Sequence, residues 1–440
     1  MSERKPALPA LYVLLVGASA GSALFGFARE AVIGALFGAT RATDAYYSGL
    51  TIPFVAAYFL VGGALAPPLA ASLAAALARG AADEARALFA HACRAVLVPG
   101  AAVAIAVAVF ASPLARLLVP GFGAEDVRVT ARLLALLCPY GLLTSFALLI
   151  SAALTAAGSY RSPAVALLFG NGVSVAVLVL GTRAGLGIDA AAIAMDAGAV
   201  VFAAGLLLPL RKTPLWGRAV NGIAPALPWR DAGLLTLSLA LAGTVDLAER
   251  PFASTAGVGV VALLAFSSKL IHLPMRLVAA PLAWVAFPRF VRSRSAGSGV
   301  EGAKTARGVF DLLLFSGAVT AAAAGPIAAI TFGRGRFDAH AVAELARALT
   351  LLAPAVVAVG FLEMGVKLLL AAGGASDAAW AQGAGLAAYL VAAPLLVSRG
   401  LAGLAVARDI AWVTAALVVG AALARRAREL ALFTRLPVRL

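Results

Sequence analysis

Long apolar runs, broken by glycine, proline and charged residues, recur along the whole chain. A helix needs about 20 apolar residues to cross a hydrocarbon core of about 30 Å. The pattern therefore predicts an all-α integral membrane protein with about twelve spans. Their approximate limits are 10–37, 44–76, 93–112, 131–156, 163–182, 189–210, 232–253, 258–288, 308–332, 346–372, 376–397 and 402–424.

Composition agrees with this pattern. Of the 440 residues, 62% are hydrophobic and 12% are charged, whereas a soluble domain carries about 25% charged residues. The balance excludes a water-soluble enzyme. Cys93 and Cys138 are too few for a disulfide framework and lack the spacing of a metal site. We expect no metal and no cofactor.

The formal net charge of +15 comes from Lys and Arg residues that gather between the apolar runs. Such loop charge sets membrane topology, and we expect no nucleic-acid partner. The polar start of the chain has no cleavage site after its first apolar run and is expected in the cytoplasm. That orientation leaves twenty cationic residues inside and nine outside. The bias predicts that both termini are cytoplasmic.

Two polar stretches, about 211–231 and 289–307, separate groups of predicted helices. The first predicts an N-terminal six-helix bundle over 1–210, a cytoplasmic linker over 211–231 and a C-terminal six-helix bundle over 232–440. Two such halves are typical of secondary transporters, which rock about a site near the bilayer midplane. No phosphate-binding loop of the G-x-x-x-x-G-K-[ST] type occurs, which disfavours transport driven by ATP hydrolysis.

Ionisable residues inside the predicted spans are the main candidates for chemistry. Each costs about 2.5–3.5 kcal/mol at the centre of a lipid-facing helix, so we expect them to face protein or a water-filled cavity. They are Arg29, Glu30, Asp44, Asp196, Asp246, Glu249, Arg250, Lys269, His272, Arg276, Glu363 and Lys367.

The eighth span has a cationic stripe. Lys269, His272 and Arg276 follow one another at i, i+3 and i+7, within about 60° of arc on one helix face. The stripe predicts the wall of a cationic cavity. Alternatively, Arg276 extends to the membrane interface while Lys269 pairs with a carboxylate.

Other charges could neutralise one another. Asp246, Glu249 and Arg250 in one span, and Glu363 with Lys367 in another, have spacings typical of intrahelical ion pairs. Such pairs would be structural, or would couple transport to an ion. Arg29 and Glu30 are adjacent and diverge by about 100° around the helix, so we do not expect them to pair. A functional role is favoured there.

The segment from Gly21 to Leu65, GSALFGFAREAVIGALFGATRATDAYYSGLTIPFVAAYFLVGGAL, resembles the N-terminal signature of the MviN/MurJ lipid flippases. This family belongs to the multidrug/oligosaccharidyl-lipid/polysaccharide exporter superfamily. ERPFAST at 249–255, SSKL at 267–270, the P-R-F at 288–290 and GRF at 335–337 extend the similarity. The resemblance implies two six-helix bundles arranged in a V around a cationic cavity.

The function that the resemblance implies is alternating-access transfer of a polyprenyl-linked (pyro)phosphate saccharide across a bacterial inner membrane. A peptidoglycan precursor or a polysaccharide repeat unit would be such a substrate. Matching positions place Arg29 as a cavity arginine, Glu30 where aspartate is usual, and Lys269 where the family has arginine. The expected substrate-binding residues are Arg29, Glu30, Asp44, Lys269, His272 and Arg276.

Several family positions are changed. Ala23 replaces an arginine of the first span, and Ala57 with Tyr58 replaces a double arginine of the second. The glycine step around Gly62 lacks the family's carboxylate. These departures imply a substrate that differs from the peptidoglycan precursor or is held more loosely.

Three alternatives stay open. A cation-coupled exporter of drugs or other small molecules would prefer acidic cavity residues. A membrane-bound glycosyltransferase or ligase would need a large extracytoplasmic loop, and no predicted outer segment exceeds about twenty residues. A transport-inactive scaffold would tolerate the lost arginines. We expect a monomer among membrane lipids, without enzymatic activity, driven by a coupling ion or the membrane potential.

Overall fold

The computed structural model describes residues 8–217, 229–274, 299–371 and 374–426, which form helices and turns and no strand. The α-helices are α1 (Leu8–Phe37), α2 (Arg41–Val55), α3 (Ala66–Ala78), α4 (Ala82–Val109), α5 (Ala111–Leu118), α6 (Ala124–Leu136), α7 (Cys138–Ala156), α8 (Arg161–Arg183), α9 (Asp189–Arg211), α10 (Trp229–Ala256), α11 (Val260–Pro274), α12 (Gly299–Ala322), α13 (Ala324–Phe332), α14 (Ala339–Leu351), α15 (Ala353–Ala371), α16 (Ala375–Leu396) and α17 (Gly400–Arg425). A π-helical segment, Ala56–Leu65, joins α2 to α3.

The predicted fold class is confirmed, because helices cover each predicted span in the described part of the chain. Seven segments there are long and apolar enough to cross a membrane, or eight if the bent pair α12 and α13 counts as one. The number twelve therefore stays a prediction. The end of the span predicted at 258–288 lies outside the described residues.

Some helices extend beyond the spans predicted from apolar runs, because polar residues at their ends are also helical. α4 begins at Ala82 rather than near 93, and its first turn carries Asp83 and Glu84, where acidic groups are favoured by the helix dipole. α12 and α13 meet at a bend of 73°.

The helices separate into two compact units, Met1–Gly243 and Thr244–Leu440. This boundary lies inside α10, whereas the sequence places the second half at 232. Residues 218–228 of the predicted linker lie outside the described residues. The linker limits remain a prediction.

Unit 1, Met1–Gly243, is held together by helices that approach at small residues. A Cβ atom on Gly170 of α8 would lie 2.7 Å from the carbonyl oxygen of Gly198 on α9. Only hydrogen fits there, so the two backbones are in contact. On another face of α8, Asn171 donates to the Ser22 hydroxyl of α1 at 2.9 Å. α8 therefore connects α1 to α9.

In unit 2, Thr244–Leu440, helices also approach closely at small residues. A Cβ on Gly385 of α16 would lie 2.9 Å from the Ala411 carbonyl oxygen of α17, and one on Gly365 of α15 would lie 2.3 Å from the Val419 side chain. α17 thus packs closely against both neighbours.

A tight turn between α1 and α2 positions the polar residues of unit 1. Gly38 has φ +67°, the left-handed conformation that favours glycine after a helix, and its carbonyl accepts from the Thr43 hydroxyl at 2.8 Å. Glu30 lies eight residues before Gly38, and Tyr47 lies seven after Thr40. At 1.5 Å per residue both are about 10–12 Å from the turn, so they lie level on adjacent helices.

Candidate functional site

Arg29 and Glu30 form an ion pair, with 3.0 Å between Arg29 Nη2 and Glu30 Oε1. The expectation that these adjacent residues do not pair was wrong. Their Cβ atoms diverge, but the long arginine side chain bends around the helix to reach the carboxylate. Glu30 is 2% exposed, so its charge requires this partner.

Two tyrosines of α2 complete the surroundings of the pair. The Tyr47 hydroxyl donates to Glu30 Oε2 at 2.5 Å, and the Tyr46 and Tyr47 rings meet edge to face with centroids 5.1 Å apart. Tyr46 is fully buried, and its hydroxyl has no hydrogen-bond partner in the described chain. The Arg29 side chain is 13% exposed, and its Nε also lacks a described partner. Arg29 therefore keeps donor capacity after pairing with Glu30.

Helices α7 and α9 add further polar groups. Tyr140 of α7 interacts electrostatically with Arg29 and shares a hydrogen bond with Tyr58. Its backbone N–H donates to the Asp196 carboxylate of α9, whose Oδ1 has no described partner. We call Arg29, Glu30, Tyr46, Tyr47, Tyr140 and Asp196 the unit 1 polar cluster. Sequence reasoning did not select its tyrosines, although AYY and CPY place them within predicted spans.

Asp44 lies in the first turn of α2 and is fully buried. Its Oδ2 is 3.8 Å from Arg41 Nη1, and Arg41 also lies 4.6 Å from the centroid of the Phe122 ring. An acidic side chain in a first helical turn also stabilises the helix dipole. Its assignment to a substrate cavity remains a prediction.

The positions where family arginines are replaced are apolar or phenolic. Ala57 is fully buried, whereas Tyr58 is 37% exposed and packs against Phe54 with ring centroids 4.7 Å apart. Both belong to the π-helical segment, a geometry that is frequent at functional sites. Tyr58 therefore presents a neutral hydroxyl where the family has a cation.

Unit 2 contains a second polar cluster, centred on Arg408 of α17. Arg408 is 1% exposed. Its Nη2 lies 2.5 Å from Asp246 Oδ1 and also pairs with Glu249, and its Nη1 donates to the Ser268 hydroxyl at 2.5 Å. One guanidinium thus joins α10, α11 and α17. We call Arg408, Asp246, Glu249 and Ser268 the Arg408 cluster.

This cluster corrects the expected pairing within α10. The spacing within α10 suggests that Arg250 neutralises Asp246 and Glu249. In the structure both carboxylates pair with Arg408, because α17 brings its buried guanidinium against them. Arg250 itself is buried. Sequence reasoning did not select Arg408, although its position inside the predicted span 402–424 marks it as an intramembrane cation.

Lys269 and His272, the two described residues of the stripe, lie on the least buried face of α11. From Gly259 to His272 all residues are buried except Ser268, Lys269 and His272. His272 Nδ1 is 2.7 Å from the Ser268 carbonyl oxygen, and its ring packs against Trp412 at 5.9 Å. Arg276 lies outside the described residues. Lys269 and His272 are therefore partly accessible, and the role of the stripe as a cavity wall remains a prediction.

Glu363 and Lys367 of α15 are both exposed. The spacing predicts that they pair, but no ion pair within 4 Å joins them, so this interpretation was wrong. Both lie well inside a 19-residue apolar helix, where charges facing lipid are costly. They therefore require water or a polar ligand.

Within the described ranges, no group of three or more His, Cys, Asp or Glu side chains is placed to hold a metal ion. Cys138 is buried and Cys93 is half-buried, and both are free thiols. The two described clusters offer paired charges and phenols, which are groups that can bind a polar or charged ligand.

Comparison with known proteins gives a family. The model of the lipid II flippase MurJ family matches residues 33–436. A probable lipid II flippase MurJ of Rhizobium meliloti (strain 1021) is 26% identical over 343 residues, which cover 73% of this chain and 63% of the relative. A probable lipid II flippase MurJ of Rhizobium tropici is 25% identical over 75% of this chain and 64% of its own length. The chain thus spans less than two thirds of these curated relatives.

Solved structures show the same fold. A lipid II flippase MurJ in an inward closed conformation superposes with a TM-score of 0.77 at 16% identity, over 94% of this chain and 87% of that one. An inward-facing multidrug resistance MATE transporter of the MOP superfamily superposes with a TM-score of 0.68 at 18% identity, over 96% of both chains. Because the family model matches residues 33–436 of its 440 residues, this membrane-protein chain belongs to the MurJ lipid II flippase family.

Proposed function

We propose that this chain is a flippase that transfers a polyprenyl-linked (pyro)phosphate saccharide between the leaflets of a bacterial inner membrane. The observation that carries the proposal is the arginine Arg29, whose side chain is 13% exposed and pairs with the buried Glu30 within a predicted membrane span. Family membership over residues 33–436 supports it. A carrier of lipid-linked anions needs such a cation at membrane depth.

Arg29 is the group that binds the anionic headgroup. Guanidinium presents five N–H donors, and Glu30 engages Nη2, which leaves other donors for a phosphate. The Tyr47 hydroxyl and Glu30 hold the side chain in place. The phenol of Tyr58, which is 37% exposed, offers a neutral hydrogen bond to a sugar hydroxyl.

The substrate is one that carries fewer ionised phosphates, or is bound less tightly, than the peptidoglycan precursor. Ala57 and Tyr58 present no charge, and Ala23 adds none on α1. Each missing charge-assisted hydrogen bond is worth about 1.5–3 kcal/mol. The curated relatives are named lipid II flippases, and this chain is expected to replace such a protein incompletely.

Alternating access of the two six-helix halves would move the headgroup, with both termini in the cytoplasm and the protein acting as a monomer. No cofactor is required. An inside-negative potential would favour outward movement of an anion by about 2.3 kcal/mol per charge per 100 mV. The carboxylates of Asp196 and Glu363 are the candidates for coupling to a cation.

The test is transfer of a fluorescent polyprenyl-pyrophosphate saccharide in vesicles, measured as headgroup accessibility to a membrane-impermeant reagent. Arg29→Ala removes the binding cation but also leaves the Glu30 carboxylate buried and unpaired. The double variant Arg29→Ala, Glu30→Gln avoids that cost. It should purify normally and transfer substrate 10- to 100-fold more slowly, because a charged hydrogen bond worth about 1.5–3 kcal/mol is lost.

Arg128→Ala is the matched control, since Arg128 is 72% exposed and pairs only with the equally exposed Glu125 among the described residues. It should leave transfer unchanged. Wild-type transfer by the double variant would contradict the assignment of Arg29. A wild-type protein that moves no lipid but exports cationic dyes would be a small-molecule exporter. Transport of neither would identify a scaffold.

A further inference from the structure

A groove of about 500 Å³ runs between α8 and α9 on unit 1. This volume lies within the range of about 300–1,000 Å³ typical of small-molecule sites. Its walls are apolar except at one end, where Arg161 and Ser162 lie. Other lining residues are Val165, Phe169, Val201, Ala204 and Pro209.

Small residues create the groove. Gly170 and Gly198 bring the two helices into backbone contact, and the exposed Ala204 and Gly205 leave the surface beside that contact without bulk. Phe169 is 62% exposed and forms one wall. The result is a channel along the helices rather than a closed pocket.

The dimensions match one leaflet of a bilayer. Residues 161 to 173 of α8 line the groove, and twelve steps of 1.5 Å cover about 18 Å. Half of a hydrocarbon core of about 30 Å is about 15 Å. Arg161 therefore lies at headgroup level when the apolar walls are within the lipid tails. Tyr160, 50% exposed, is placed as membrane-interface aromatics usually are.

The polar end is cationic. Arg161 is exposed and makes no ion pair with any carboxylate in the described part of the chain. Arg211 and Lys212 are exposed at the same end of α9. An anionic headgroup there would be attracted by these positive charges. A zwitterionic or neutral headgroup carries no net negative charge and would be attracted less.

The groove is separate from the unit 1 polar cluster. Asn171 of α8 faces α1, where it donates to Ser22. On a helix of 100° per residue this direction is about 160° from the centre of the groove-lining residues of α8. We propose that the groove binds an anionic phospholipid of the surrounding bilayer, with its phosphate on Arg161 and one acyl chain between α8 and α9. The proposal does not depend on the transported substrate.

Native mass spectrometry of the delipidated full chain in detergent tests this site with phosphatidylglycerol as probe and phosphatidylcholine for comparison. Arg161→Gln should weaken phosphatidylglycerol binding at least fivefold and phosphatidylcholine binding much less, because the choline cation of phosphatidylcholine already offsets its phosphate charge. Ala204→Phe, which fills the groove from an exposed position, should weaken both. Arg183→Gln and Leu180→Phe are matched controls at the other end of α8, where both residues are exposed. They should bind as wild type does.

Equal affinity of wild type and Arg161→Gln for phosphatidylglycerol would overturn the proposal. So would equal binding of the two lipids by the wild type. Displacement of phosphatidylglycerol by equimolar polyprenyl phosphate, lost in Arg161→Gln, would assign the groove to a prenyl lipid and refute the phospholipid. If Ala204→Phe does not fold, the Arg161→Gln comparison still decides the question.

Discussion

Replacing Arg408 by methionine should destabilise unit 2 strongly. The side chain is 1% exposed and contacts three polar partners, Asp246, Glu249 and Ser268. Methionine keeps most of the volume but leaves the fully buried Glu249 without its guanidinium. Removing one member of a buried ion pair costs about 3–5 kcal/mol. The Asp246 side chain is 37% exposed, so water can hydrate it, and we expect about 3 kcal/mol.

Equilibrium unfolding in mixed micelles with increasing SDS measures the free-energy difference. Arg425→Met is the matched control, because Arg425 belongs to the same helix but is 73% exposed and lies 3.9 Å from Asp377. An exposed pair contributes little, so its midpoint should barely move. Adding Glu249→Gln to Arg408→Met removes the buried charge and should recover at least half of the loss. A loss below 1 kcal/mol for Arg408→Met, or no recovery in the double variant, would refute a buried ionic cluster.

Two further predictions concern α15 and α8. In a cysteine-free background, cysteines that replace Glu363 and Lys367 should react with a membrane-impermeant maleimide much faster than a cysteine at Leu417, an exposed apolar position. The reason is that charged residues within a span need water around them. Equal labelling at all three positions would place this face of α15 against lipid. Gly170→Leu should lower the free energy of unfolding by about 1–3 kcal/mol, since its Cβ would lie 2.7 Å from the Gly198 carbonyl oxygen. Unchanged unfolding in SDS would show that α8 and α9 do not touch there.

The helices could be read from the chain with good accuracy. The span predicted at 189–210 corresponds to α9 at Asp189–Arg211, and that at 376–397 to α16 at Ala375–Leu396. Apolar length is enough for this, because a backbone in lipid must satisfy its hydrogen bonds within the helix. The break between α12 and α13 was not predicted, because both helices are apolar and hydropathy does not register a bend.

The candidate residues of unit 1 were identified only in part. Arg29 and Glu30 followed from their depth in the first span, but their pairing did not, because helical angles describe Cβ directions and not the reach of a long side chain. Tyr140 and Asp196 join the cluster through α7 and α9. Both residues are more than 100 positions from Arg29 along the chain, so the sequence alone does not show that they lie near it.

The sequence by itself determined the all-helical membrane fold, the presence of intramembrane charges and the family resemblance, since these depend on composition and local pattern. Only the tertiary structure decided which charges are paired. Asp246 and Arg408 are 162 residues apart, yet they are joined because α10 and α17 pack together. Glu363 and Lys367 are four apart, yet no ion pair joins them to each other or to another residue in the described part of the chain. Coulomb energy depends on distance in space, and in a helical bundle that distance is set by which helices are neighbours.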